Sequence, residues 1–167
     1  MKMSSKASSS APKLFNRITK LLDSQDILYR IIAHTPIDGS VIGSSVVMGT
    51  NPEEAAKSLI MIVNGITPIM VVLRGSDMVN KRDLKKLTKS GDIRFATPEE
   101  VRKATQTEIG TLPPIGELFN LTTYVDKLLL KEKEIAFSTG LHTKTIIISS
   151  DAFKKITNPI VGDFVGK

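Results

Sequence analysis

Cysteine and tryptophan are absent from this 167-residue chain, and histidine occurs only twice, at His34 and His142. Without thiols there can be no disulfide, no zinc–thiolate centre and no cysteine nucleophile. Two histidines far apart in sequence do not supply a multi-histidine metal site, so neither a metal nor a cofactor is expected. Aromatic residues make up 5% of the chain, which leaves a stacking platform for single-stranded bases poorly supplied. No apolar run approaches the ~20 residues that a membrane helix requires. The basic N-terminus leads into Ser8-Ser9-Ser10 rather than an apolar segment, so it does not read as a secretory signal. G-x-G-x-x-G and G-x-S-x-G are both missing. The expectation is a cytoplasmic, monomeric protein with no membrane association.

What is present is a globular composition, 41% hydrophobic and 24% charged, of a length that suits one domain with a sizeable core. The net charge is +6, and it is unevenly placed. Lys2, Lys6, Lys13, Arg17 and Lys20 fall in the first 20 residues, where there is no acid. Residues 1–11 read as a flexible, Ser-rich tail, and residues 12–167 as the folded domain. A second basic cluster, Lys81, Arg82, Lys85, Lys86 and Lys89, is opposed only by Asp83. Four of its members, Arg82, Lys85, Lys86 and Lys89, share one face of a helix at i, i+3, i+4, i+7 spacing, while Leu84 and Leu87 turn to the core. That face is either an ordinary solvated one or, since it carries almost no compensating acid, a surface for phosphate or RNA contact read mainly through the backbone.

Periodicity and capping chemistry outline the elements. Pro12 opens a helix to about residue 23, with Leu14, Phe15, Ile18, Leu21 and Leu22 on one stripe. Residues 29–33 read as a strand ending at His34, and 39–49 as a weak helix. Asn51-Pro52-Glu53-Glu54 starts a short helix that ends near Lys57. Residues 58–63 and 68–73 form a hairpin about Asn64-Gly65. Asn80 and Thr97 each cap a helix. Residues 121–125, 135–138 and 145–149 are strands, Asp151 opens the last helix, and 160–165 adds an edge strand. The order lacks strict βαβ alternation, which predicts an α+β domain, a mixed sheet wrapped by helices.

The sharpest local feature is Gly110-Thr111-Leu112-Pro113-Pro114-Ile115-Gly116. Proline fixes φ and removes a donor, and glycine permits backbone shapes closed to other residues. The loop is either a rigid connector or a turn whose free N–H groups hold an ester carbonyl or a phosphate. Lys57, entering an apolar strand, is either a snorkelling side chain or a cation kept in a pocket for an anionic or ester oxygen. His142 lies in a glycine-containing loop between two strands, either at the surface or placed to orient water. His34 reads first as a structural histidine.

Taken in order, these segments resemble the YbaK/ProX-type aminoacyl-tRNA deacylase family, which is related to the editing domain of prolyl-tRNA synthetase. The matching features are the strand ending in His34-Thr35-Pro36, the run Glu53-Glu54-Ala55-Ala56-Lys57-Ser58-Leu59-Ile60, a hairpin and basic helix, Ala96-Thr97-Pro98-Glu99-Glu100, the Gly110 to Gly116 loop, and Ser138-Thr139-Gly140-Leu141-His142. The resemblance covers roughly residues 14–165. It implies hydrolysis of the ester joining a wrong, small amino acid (Ala, Ser, Thr or Cys) to a tRNA, by a freestanding enzyme acting in trans. Aminoacylated tRNA is then the partner, with an aminoacyl-tRNA synthetase a second one. Lys57 would anchor the terminal nucleotide or stabilise negative charge. N–H groups of Gly110 and Thr111 would contact the oxyanion, and His142 would position water. His34, Pro113, Pro114, Gly116 and Gly140 would shape the substrate pocket, and Lys81, Arg82, Lys85, Lys86 and Lys89 would bind the tRNA. The chain departs from the family pattern at Gln106, Thr111 and Thr145, so a non-catalytic tRNA- or synthetase-binding module of the same fold is the alternative. The catalytic reading requires Lys57 and both glycine loops to share one cavity.

Overall fold

A computed structural model describes residues 3–36 and 49–166, with side-chain placement from residue 10 onward. The helix expected over 39–49 falls outside these residues except for Gly49. The elements in chain order are α1 (Met3–Ser24), β1 (Arg30–Ala33), β2 (Ala56–Val63), β3 (Thr67–Arg74), α2 (Lys81–Thr88), β4 (Ile93–Phe95), α3 (Pro98–Thr105), β5 (Thr123–Asp126), β6 (Glu134–Ser138), β7 (Lys144–Ser149), α4 (Ser150–Thr157) and β8 (Ile160–Gly162). Short 3-10 turns occupy Pro52–Glu54, Gly116–Phe119 and Leu129–Lys131.

The strands form two sheets, the larger of them the mixed sheet expected. One has five strands in the order β4-β2-β3-β5-β8, and the other has three in the order β1-β7-β6. The five-stranded sheet is mixed: β2 pairs antiparallel with β3 and β4, while β3–β5 and β5–β8 are parallel. The smaller sheet is antiparallel throughout. A parallel bridge between Ala55 and Ala136 joins them, and the candidate site forms at this junction.

Both faces of the larger sheet are covered, which is why residues 59–63 and 69–73 are continuously apolar instead of alternating. Ile60, Met70 and Val72 face a core shared with α1, α4 and the smaller sheet, including Ile18, Leu22, Phe137 and Phe153. Met61, Val71 and Leu73 face a second core, closed by Leu84 of α2 and Phe164. The hairpin turns at Asn64 and Gly65, with φ of 52° and 74°. Asn64 Oδ1 also accepts from the N–H groups of Gly91 and Asp92 at 3.1 and 3.2 Å, fixing the approach to β4.

Local capping chemistry works as the residues suggest. Asn80 Oδ1 accepts from the N–H groups of Arg82 and Asp83. Thr97 and Glu100 form a reciprocal capping box on α3, and Arg94 holds the Glu100 carboxyl down at about 2, helped by the Thr97 N–H. The exception is Asn51-Pro52-Glu53-Glu54. It yields only the turn Pro52–Glu54, because Ala55 is drawn into the bridge with Ala136 and Ala56 already pairs with Arg74. Lys57 therefore lies within β2, not at a helix end. At the other extreme, α1 runs back to Met3 through the segment read as a tail, with Pro12 inside it. The serine, alanine and lysine residues there tolerate helix, and the long-range packing of Leu14, Ile18 and Leu22 anchors its second half.

Candidate active site

A cavity of about 200 Å³ opens where the two sheets meet. β2 contributes Lys57 and Ser58 at its start, β1 leads into His34, and β6 and β7 contribute Ser138 and Thr145 at their adjoining ends. The loop after α3 adds Gly110 and Thr111, and the β6–β7 loop adds His142. Residues scattered from 34 to 145 thus share one concavity, and the five predicted site residues His34, Lys57, Gly110, Thr111 and His142 all line it.

Lys57 is half-buried, and its ammonium donates to the carbonyl of Asp77. Burial lowers its pKa from the ordinary 10.5, with the Asp77 carboxylate pulling the other way. Asp77 is itself pinned: Arg74 Nε and Nη2 donate to its two carboxylate oxygens at 2.6 and 3.2 Å. An ammonium has three donors, so one contact to a fixed carbonyl orients the group and leaves donors for a ligand.

The two glycine loops are bonded to each other. The Gly140 N–H donates to the Thr111 carbonyl at 2.8 Å, and Ser138 Oγ donates to the Gly110 carbonyl at 3.3 Å. Gly110 adopts φ of 98° and Gly140 φ of 90°, in the region that favours glycine. Among the described residues the Gly110 N–H makes no hydrogen bond. The Thr111 N–H is different: it donates to the Glu108 carbonyl at 3.1 Å, and its hydroxyl donates to the same oxygen at 3.0 Å. The expected pair of oxyanion donors is therefore reduced to Gly110, because Thr111 spends its N–H closing the turn.

His34 has both ring nitrogens engaged. Nδ1 lies 2.9 Å from the Thr35 carbonyl, which only accepts, so Nδ1 carries the proton. In the neutral ring Nε2 then accepts from the buried Thr145 hydroxyl, also at 2.9 Å. The ring is a fixed wall of the cavity. His142 sits at its mouth, about half exposed, with Nε2 3.9 Å from Glu108 Oε2.

Other predicted positions lie elsewhere. Pro113, Pro114 and Gly116 are buried behind the cavity and do not line it. Gly116 is there for packing: a Cβ would fall 2.3 Å from Thr123 Oγ1 and 2.6 Å from the Leu121 carbonyl. Gly140 lines an adjoining groove and packs on α1, where a Cβ would lie 3.0 Å from Leu14 Cδ2. Lys81, Arg82, Lys85 and Lys86 stand apart on α2, with Lys81 Nζ 4.8 Å from the Phe95 ring centre, and Lys89, expected on the same helical face, is instead the left-handed residue that ends the helix.

Sequence reasoning missed Asp77, Ser58 and Ser138 as site residues, and met Thr145 only as a departure from a pattern. Ser138 could have been found as the first residue of the glycine loop. Ser58 carries no local signal; its Oγ is buried in the cavity wall without a partner among the described residues, and only the fold reveals that. Among the described residues no cluster of three potential metal ligands occurs.

The chain is similar to known proteins. The aminoacyl-tRNA editing domain family matches residues 44–156. The Multifunctional Ser/Thr-tRNA deacylase ProXp-y of Escherichia coli K12 is 28% identical over 154 residues, covering 89% of this chain and 90% of that protein. The proline–tRNA ligase of Bacillus licheniformis is 30% identical over 122 residues; the match covers 71% of this chain but only 21% of the ligase. A crystal structure of a protein proposed to be a trans-editing enzyme for prolyl tRNA synthetase shares the fold, with a TM-score of 0.79 at 20% identity over 92% of this chain and 98% of that one.

Proposed function

The chain belongs to the aminoacyl-tRNA editing domain family, and from that premise we propose that it is a deacylase acting on a tRNA mischarged with a small amino acid. The observation that carries this reading is the one cavity shared by Lys57, Gly110 and His142. In the reaction a water oxygen attacks the ester carbonyl, the oxygen of that carbonyl takes negative charge, and the ribose hydroxyl leaves with a proton. Lys57 and the Gly110 N–H supply donors for the developing charge in a half-buried site, where such contacts are worth far more than in water. His142, at the mouth, orients the water or the terminal ribose. The aminoacyl ester is already activated, so positioning and charge stabilisation carry the rate.

A cavity of about 200 Å³ is below the usual range for drug-sized ligands and suits alanine, serine, threonine or cysteine, while larger side chains are excluded by size. The likeness to a Ser/Thr-tRNA deacylase favours serine and threonine within that set. Residues 12–167 are the catalytic unit in this reading, the protein works in the cytoplasm as a monomer, and a synthetase is a second partner. The engaged Thr111 N–H favours one alternative, a module of the same fold that holds charged tRNA without cleaving it.

Incubation with a panel of mischarged tRNAs decides between them. Release of Ser, Thr, Ala or Cys, lost in Lys57→Ala protein that still folds, is the expected result. Binding without release across the whole panel refutes the enzyme reading.

A further inference from the structure

An ester held between Lys57 and Gly110 leaves a practical question: by which route does the nucleic acid attached to it leave the cavity? α2 carries the most conspicuous positive charge, yet none of its residues borders the cavity. A larger groove, of about 740 Å³, adjoins the cavity and shares Thr111, Leu141 and His142 with it. Its walls are α1, the end of α3 and the loop that follows, and the turn Gly116–Phe119. Lys13 and Arg17 from α1 and Lys103 from α3 line it, all three exposed. None of the three forms an ion pair among the described residues, and Arg17 makes only a 3.3 Å contact to the Leu118 carbonyl. Among the described residues the one acid in the wall is Glu108, already beside His142. Phe119, half-buried, adds one aromatic surface.

We propose that this groove between α1 and α3 is the track for the single-stranded 3′ end of the RNA, with Lys13, Arg17 and Lys103 contacting its phosphates and Phe119 packing on a base. The proposal deepens the deacylase reading and rests on it for the position of the ester. The charge sign fits a polyanion, and unpaired cations are the ones free to release counterions on binding. Continuity fits as well: a strand whose last ribose lies beside His142 passes directly into a groove that His142 also lines. α2 then meets the double-stranded part of the RNA or none of it.

The test compares Arg17→Glu and Lys103→Glu, singly and together, with Lys20→Glu, which makes the same charge change on α1 outside the groove. Circular dichroism establishes that each variant is folded. Two readouts are taken: kcat and KM on a mischarged tRNA that the wild-type protein hydrolyses, and fluorescence anisotropy with a short single-stranded RNA ending in CCA across a salt series. The double variant is expected to raise KM at least tenfold with kcat little changed. Its salt slope is expected to fall by roughly 0.7 for each lost phosphate contact, with Lys20→Glu near wild type. Phe119→Leu is expected to weaken the RNA several-fold without changing the slope. Equal effects from Lys20→Glu and the groove variants, or none from either, overturn the groove. If wild-type protein hydrolyses nothing, the deacylase reading fails, and the anisotropy series alone upholds or removes the groove.

Discussion

Lys57 and the lysines of α2 are the same residue type used in opposite ways. Lys57 is half-buried, fixed on a backbone carbonyl and lowered in pKa by desolvation. Lys81 and Lys86 are exposed. Water screens an exposed ammonium so thoroughly that each is worth little alone, and such a group acts through number and arrangement. A half-buried one keeps its field, and its desolvation is a standing cost that a ligand can offset. The difference teaches that burial, more than the density of cations, decides whether a single ammonium keeps a field strong enough to act on a ligand.

The comparison breaks most simply at Lys57. Lys57→Ala is expected to lower kcat/KM for deacylation by about 10²–10³, the scale of losing one transition-state charge contact. Rates near wild type in single-turnover assays would put Lys57 among the merely structural lysines.

Next in size is Gly116→Ala, which tests whether the frame behind the site is as rigid as its packing implies. Its Cβ would meet Leu121 backbone at 2.6 Å, and overpacking of this kind costs about 1–3 kcal/mol. Urea denaturation should show a midpoint shift of that order; an unshifted midpoint would mean the loop gives way freely.

Reversing Lys85 and Lys86 to Glu sharpens the other side of the comparison. Filter binding to uncharged tRNA should weaken several-fold at low salt, with a shallower salt dependence, while folding stability moves by no more than about 0.5 kcal/mol. An unchanged affinity would leave α2 as a solvated face.

The smallest effect concerns pH. The pKa of Lys57 is lower folded than unfolded, so between the two values the unfolded chain binds more protons and stability rises with pH. Measured against Lys57→Met, wild-type protein should gain stability through the window that ends at the ordinary lysine value of 10.5. If the protonated amine is the working form, activity should fall in that same window, below the pH at which a free lysine titrates. A stability difference that is flat with pH would mean that Lys57 is not desolvated.

Much of the fold could be read locally. Asn64-Gly65 dictates a hairpin because both residues accept positive φ, and Thr97 with Glu100 dictates a helix start because each satisfies the other's backbone. Where a local signal competed with distant pairing, distance won: Asn51-Pro52-Glu53-Glu54 has every mark of a helix start, yet Ala55 pairs with Ala136 in another sheet. The site was legible in its residue types and not in its contacts. Lys57, His34, Gly110 and His142 stand out in sequence as costly or unusual. That Thr111 has no N–H to offer depends on Glu108 closing a turn, and that Ser58 has an orphaned hydroxyl depends on which strands surround it.

The amino-acid sequence by itself determined most of the element types, the separation of the basic segments from the apolar strands, and the presence of a lysine where lysine is expensive. Those properties follow from backbone sterics, capping and periodicity, which act over a few residues. Only the tertiary structure decided that two sheets meet at Ala55 and Ala136, that the cavity opens at that seam, and that α1 and α3 flank its exit. Those outcomes depend on burying two apolar faces at once, and the free energy of that burial belongs to segments that are neighbours in space alone.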